Sequence, residues 1–270
     1  MNQLELFELL ELPNEVSLKL IDYGNKRISE IPNSIINKIL QRREWDGGIK
    51  ELQEILADDS DGIKILWELL NIIGNYSYKE YEMREISKDI FVATMRFCTR
   101  FLNEHYQTYH TYKFIWAWWL PRQISLNEFR IGALEYEFIN CEDNEIAVHI
   151  PSDANLQKES VLQSLNDFFE FRKLYFSEWE NVKLTCDSWM LMPELKELLG
   201  EDSHIIVFQN LFEIDTLNYD ATWYMGWIFP GYETVNDSLP ERTTLQRRMR
   251  KHLLDGKRFG IAKGHLKNIG

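Results

Sequence analysis

The chain has 270 residues, 44% of them hydrophobic and 27% charged, with a formal net charge of −13. These globular values exclude extended disorder and give enough length for one large domain or two ordinary ones. No run approaches the roughly 18 uninterrupted apolar residues of a membrane span, and the acidic start "MNQLELFELLELPNEV" lacks the basic region of a secretory signal, so the chain reads as soluble and cytoplasmic.

Residues 1 to about 110 read as helical. "LELFELLEL" carries leucines and Phe7 on a helical stripe, and "IPNSIINKIL" puts Pro32 at a helix start ahead of Ile35, Ile36, Ile39 and Leu40. "GIKILWELLNII" is apolar nearly all round, the mark of a buried helix. "EISKDIFVATMRFCTRFLNEHY" spaces Ile86, Ile90, Phe97 and Phe101 by helical steps along one helix. Nothing in this half carries a chemical motif. The stretch that follows, "FIWAWWLPRQ", holds Trp116, Trp118 and Trp119, which are expected to be core in preference to a ligand wall.

From about residue 125 the period changes. "EFRIGALEYEF" alternates, with Arg130, Gly132, Leu134, Tyr136 and Phe138 on one side and Phe129, Ile131, Ala133, Glu135 and Glu137 on the other. Arg130 therefore needs a carboxylate or a ligand anion. After the turn signal "NCEDN", the strand "EIAVHIP" sets Ile146, Val148 and Ile150 opposite Glu145, Ala147 and His149. The two strands form a hairpin whose register leaves open which glutamate faces His149.

A helix over "LQKESVLQSLNDFFEFRKLYF" comes next, then a strand, "LTCDSWMLM", and a short helix, "PELKELLG". "HIIVFQNLFEID" and "ATWYMGWIF" read as two strands. The helix "RTTLQRRMRKHLLDG" has Leu245, Met249 and Leu253 on its inner stripe and Gly256 at its end, and "RFGIAKGHL" closes the chain as a strand. The order predicts a mixed α/β (α+β) fold: a helical N-terminal domain over 1–115 and a mixed β-sheet flanked by helices over 116–270.

The three cysteines, Cys98, Cys141 and Cys186, form no CxxC pair and are expected to be small buried hydrophobes. From residue 241 onward nine basic residues face two acidic ones, a local balance of +7 that leaves −20 on residues 1–240. Such a field argues against a nucleic-acid partner and leaves the basic end either as a charged outer face or as a patch for a small anion.

Several segments resemble one family. "WWLPRQISLNEFRIGALEYEF", "IAVHIPSDANL", "CDSWMLMPELKELLGEDSHIIVFQNLFEI" and "LPERTTLQRRMRKHLLDGKRFGIAKG" look like the bacterial acyltransferase-domain proteins that pair an N-acyltransferase-like helical N-terminal domain with a GNAT-like C-terminal domain. The resemblance implies an N-acyltransferase that moves an acyl group from acetyl-CoA or another acyl-CoA, or from an acyl-carrier protein, to an amine, with no metal and no membrane. It places the CoA pyrophosphate in "HIPSDANLQKES", nearest Ser152, Ala154 and Asn155, at a helix N-terminus. The superfamily's usual glycine pattern there is absent. Ser188 would lie beside the cofactor groove, and the basic helix, including Arg247 and Arg248, is a candidate for the CoA 3′-phosphate or for an acidic carrier protein.

Transfer of this type needs a base for the amine proton, and His149, Glu137 and Glu135 qualify by position. Two alternatives stand beside it. One is a catalytically inactive GNAT-like protein that binds a ligand or partner. The other is a hydrolase using His149 with Ser188 or a glutamate, for which no nucleophile elbow is present.

Overall fold

The computed structural model describes residues 1–27, 30–140 and 144–267, with Asn140 described by its backbone only. Cys141 and most of the "NCEDN" turn lie outside the described residues. The chain divides into two units, Met1–Ile131 and Gly132–Gly270.

The first unit is helical: α1 (Gln3–Leu9), α2 (Asn14–Lys26), α3 (Asn33–Ile39), α4 (Trp45–Leu56), α5 (Ile63–Ile72), α6 (Tyr78–Met83), α7 (Lys88–Met95), α8 (Phe97–Tyr109) and α9 (Pro121–Ile124). It ends in a short strand, β1 (Glu128–Ile131). Local chemistry sets several starts. The Asn2 side chain accepts the Glu5 N–H and the Ser87 hydroxyl accepts that of Ile90, which satisfies first-turn donors that have no helical partner. The all-round apolar run becomes α5, whose Leu66, Leu69 and Leu70 are fully buried. The stretch from Ile86 to Tyr109 is two helices, not one, because the helix ends at Arg96 and restarts at Phe97. A five-residue π-helical turn, Ile73–Ser77, joins α5 to α6, and the Ser77 hydroxyl donates to the Ile124 carbonyl at 2.7 Å.

The three tryptophans divide. Trp118 is 48% exposed, so it is not core. The Trp119 indole N–H donates to the buried Glu128 carboxylate at 2.9 Å, and the Arg122 guanidinium lies 4.1 Å from the centre of the Trp119 rings. Gln123 donates to the other oxygen of Glu128 at 2.7 Å.

The second unit holds β2 (Leu134–Asn140), β3 (Glu145–His149), α10 (Lys158–Tyr175), β4 (Lys183–Ser188), α11 (Leu195–Leu198), α12 (His204–Gln209), β5 (Phe212–Asn218), α13 (Tyr224–Ile228), α14 (Thr244–Leu254) and β6 (Ile261–Leu266). Gly132 sits at φ +61, so the alternating run "EFRIGALEYEF" is broken by a turn into β1 and β2. Within this unit the strands lie in the order β2-β3-β4-β6-β5. The β3/β4 pair is parallel and the other neighbours are antiparallel. A parallel pair needs a crossover, and α10 supplies it.

Side-chain alternation sorts the two faces. Tyr136 and Phe138 of β2 meet α10: the Tyr136 and Phe168 rings stack 4.0 Å apart and 7° from parallel, and Phe138 lies 4.6 Å from Phe176. Ser164 of α10 bonds both the Tyr136 hydroxyl at 2.9 Å and the Leu134 N–H at 3.2 Å. Glu135, Glu137, Glu145, His149, Asp187 and Lys263 occupy the alternate positions and share the other face.

Two expected strands are corrected. "HIIVFQ" forms α12, with β5 beginning only at Phe212, and "YMGWI" forms α13. Short apolar runs fit a buried helix and a buried strand equally well. Helix α14 begins with a capping box between Thr243 and Gln246, buries Met249 and Leu253, and is followed by Gly256 at φ +76.

Candidate active site

The β2/β3 register sets Glu135 opposite His149 and Glu137 opposite Ala147. The imidazole nevertheless reaches the diagonal neighbour: Nε2 of His149 is 3.0 Å from Oε2 of Glu137. Diagonal positions on one face lie within reach of a long side chain, and Ala147 has nothing beyond Cβ to block the path. Glu135 and Glu137 are buried, 4% and 6% exposed. A carboxylate at Nε2 fixes the imidazole so that Nε2 carries the proton and Nδ1 is the basic nitrogen.

A second cluster stands on the same face. Oε1 of Glu145 accepts the Lys263 ammonium at 2.8 Å and the Thr185 hydroxyl at 2.9 Å. The Lys263 hydrogen bond is the main reason the Glu145 carboxyl is held below its ordinary value, and Glu145 in turn raises the Lys263 ammonium. Asp187 of β4 is paired with Lys263 across the β4/β6 ladder. Although Asp187 keeps contact with solvent, desolvation pushes its carboxyl up, and the charges of Lys263 and His149 oppose that rise.

The strands part beside these groups. Among the described residues the parallel β3/β4 pairing runs from Glu145/Lys183 to Ala147/Thr185 and stops. From there β3 stays with β2 as far as His149, and β4 stays with β6 as far as Ser188. Among the described residues no ladder pair joins Val148–His149 to Cys186–Ser188. Just beyond, residues 150–157 lead into α10, whose first N–H groups have no helical acceptor.

In that loop Ala154 donates its N–H to the Pro151 carbonyl at 2.9 Å, and the Asn155 side chain accepts the Gln157 N–H at 3.1 Å. Ser152 and Asn155 are exposed, and Ala154 is half-buried. The fold thus brings Ser152, Ala154 and Asn155 to the end of the strand that carries His149. Ser188 ends β4, buried, with its hydroxyl accepting the Met190 N–H at 3.1 Å. Alternation puts its side chain on the face opposite Asp187 and His149, so the structure does not assemble a His149–Ser188 pair.

Arg247 and Arg248 lie on α14, exposed. Arg247 donates to the Glu241 carbonyl at 3.0 Å and Arg248 to the Leu198 carbonyl, at the end of α11, at 2.6 Å. Arg130 donates its backbone N–H to the Thr94 hydroxyl at 3.0 Å. Cys98 and Cys186 are buried free thiols, with Cys98 pushed up to about 12 and Cys186 further, both by burial.

The sequence reading passed over Asp187 and the Glu145–Thr185–Lys263 cluster. Asp187 has a sequence signal: it is a charged residue at the alternate position between buried Cys186 and Ser188. The cluster has none, because Glu145 and Lys263 are brought together only by strand order.

Family models cover nearly the whole chain: an N-acyltransferase N-terminal domain matches residues 1–126 and a GNAT-like C-terminal domain matches residues 129–266. Among solved structures, the fold is similar to an acyltransferase in complex with decanoyl-CoA and teicoplanin, with a TM-score of 0.81 and 18% identity over 97% of this chain and 86% of that one. An acyltransferase mutant in complex with octanoyl-CoA matches with the same score, identity and coverage. An acyltransferase in complex with decanoyl-CoA matches with a TM-score of 0.76 and 20% identity over the same shares of the two chains. At these identities the likeness is one of fold. No curated protein matches the chain.

Proposed function

Because the chain belongs to the family that joins an N-acyltransferase N-terminal domain to a GNAT-like C-terminal domain, we propose that it transfers an acyl group from an acyl-CoA to an amine acceptor. The observation that carries this reading is the place where β3 and β4 part. Pairing ends at Ala147/Thr185, one turn of strand before His149 and the N-terminus of α10. Strands whose ladder has ended can take the amides of a pantetheine arm between them, and a helix N-terminus suits a pyrophosphate.

In this mechanism the acyl-CoA lies between the parted strands. The N–H groups opening α10, with Ser152, Ala154 and Asn155, hold the pyrophosphate, and Ser188 borders the pantetheine. The amine nitrogen attacks the thioester carbonyl carbon, the C–S bond breaks, and the departing thiolate takes a proton. His149 removes the proton from the amine, held in orientation by the Glu137 carboxylate 3.0 Å away. Glu135 lies opposite His149 in the ladder, on the same face. Asp187, on the same face, is placed to hold a cationic acceptor. Arg247 and Arg248 are the candidates for the 3′-phosphate.

Similar folds captured with octanoyl- and decanoyl-CoA support an acyl-CoA donor, and the one captured with teicoplanin supports a small-molecule acceptor. An acyl-carrier protein remains the alternative donor. The absent glycine pattern favours a second reading, a protein that binds without turnover.

Release of free CoA from octanoyl-CoA, measured across a panel of amines with mass spectrometry of the products, separates the readings. Acceptor-dependent release with an acylated product supports the transferase. Acceptor-independent release indicates a hydrolase, and binding without release indicates the inactive module.

A further inference from the structure

We infer that a cleft within the first unit binds a small polar ligand through a carboxylate or phosphate group held by Arg27. The cleft has a volume of about 710 Å³ and is bounded by Arg27 after α2, by α3, by the end of α5, and by the π-helical turn with α6. Single π turns inside helices frequently mark functional sites. This one delivers Asn75 and Tyr76 to the cleft wall, while Ile36 and Ile72 provide an apolar floor.

The key element is a buried ion pair. Glu68 of α5 is 1% exposed. Its Oε1 lies 2.7 Å from Nε of Arg27, its Oε2 accepts Nη2 at 2.8 Å, and the Tyr23 hydroxyl adds a bond of 3.3 Å. A buried ion pair is a weak source of stability, so its desolvation cost points to another use. A guanidinium presents two forks of N–H groups. Glu68 takes one Nη2 donor and lies against Nε. The other fork, made by Nη1 and the second Nη2 hydrogen, meets no acceptor among the described residues, and Arg27 lines the cleft with 19% of its side chain exposed. That fork is held rigid from behind by a carboxylate closed to water, and its planar geometry matches a carboxylate or phosphate in two parallel bonds.

The other charges facing the cleft are Lys79, Glu30 and the Arg84–Glu80 pair, whose atoms approach to 3.5 Å. Lys79 and Glu30 have no ion-pair partner among the described residues. Lys79 adds a second cation for the oxyanion, and Glu30 suits a hydroxyl or ammonium elsewhere on the same ligand.

The test is isothermal titration of the full chain with citrate and, separately, with inorganic phosphate. Arg27→Lys keeps the positive charge against Glu68 but loses the fork, and Lys79→Met changes an exposed side chain that the fold does not use. The expected result is saturable binding of at least one probe, weakened about tenfold in Arg27→Lys, weakened in Lys79→Met, and unchanged in His149→Ala. The tighter probe identifies which oxyanion the cleft prefers. Absence of saturable binding by both probes overturns the inference, as does binding that neither Arg27→Lys nor Lys79→Met weakens. Octanoyl-CoA titrated into the same variants reports separately on the proposed acyltransferase site.

Discussion

Nε2 of His149 stands 3.0 Å from the Glu137 carboxylate, although Glu135 is its direct partner across the β2/β3 ladder. Glu137 therefore orients the imidazole. His149→Ala is expected to lower amine acylation by about 10²- to 10⁴-fold, with acyl-CoA affinity close to that of the parent. Glu137→Gln should lower kcat in the same direction and by less. Steady-state rates set beside equilibrium acyl-CoA affinities check both, and an unchanged rate in His149→Ala would remove it as the base.

Asp187 shares the sheet face with His149 and Lys263, and desolvation pushes its carboxyl up against their opposing charges. If it holds the acceptor, Asp187→Asn raises KM for the amine and leaves acyl-CoA affinity unchanged. Kinetics with the amine varied at saturating octanoyl-CoA give the answer. A KM equal to that of the parent would exclude Asp187 from acceptor binding.

The Glu145–Lys263 pair makes stability depend on pH in a set direction. The folded-state Glu145 carboxyl lies below the ordinary value of 4.5, chiefly through the Lys263 bond. Its contribution is therefore fully present above that value and is lost as pH falls through the lowered folded value. Lys263 is well exposed, so the effect is small. At pH 7 Glu145→Gln should cost about 0.5–1 kcal/mol, and the difference from the parent should shrink in increasingly acidic buffer. Urea unfolding at a series of pH values measures it, and a difference that grows on acidification would contradict the pairing.

The stack of Tyr136 on Phe168, with Phe138 and Phe176 beside it, anchors α10 to the sheet. Phe168 is fully buried, and Phe168→Ala should cost about 3–5 kcal/mol. Chemical denaturation of the two proteins reads this directly. A loss below about 1 kcal/mol would mean that the cavity collapses without penalty.

Much of this architecture is legible in residue spacing. Alternation in "LEYEF" and "EIAVH" places both glutamates and His149 on one face, because strand side chains alternate strictly. Which glutamate meets the imidazole is not legible, since the ladder shifts register between Phe138 and Asn140 and the contact made is diagonal. The helices α12 and α13 escape the reading because "HIIVFQ" and "YMGWI" are too short for the two periods to be told apart. Asp187 is visible as a charge within a buried strand, whereas the partners of Glu145 come from β4 and β6, brought together only by strand order. The Arg27–Glu68 pair joins the residue after α2 to α5 and leaves no periodic trace.

The central claim is that acyl-CoA enters where β3 and β4 part. Hydrogen–deuterium exchange of the full chain, with and without saturating octanoyl-CoA, tests it at the amides concerned. The expected result is slower exchange at Val148–His149, along residues 150–160 and at Cys186–Ser188, with β2 and the later turns of α10 unchanged. Saturable octanoyl-CoA binding that leaves those amides exchanging as before would contradict it.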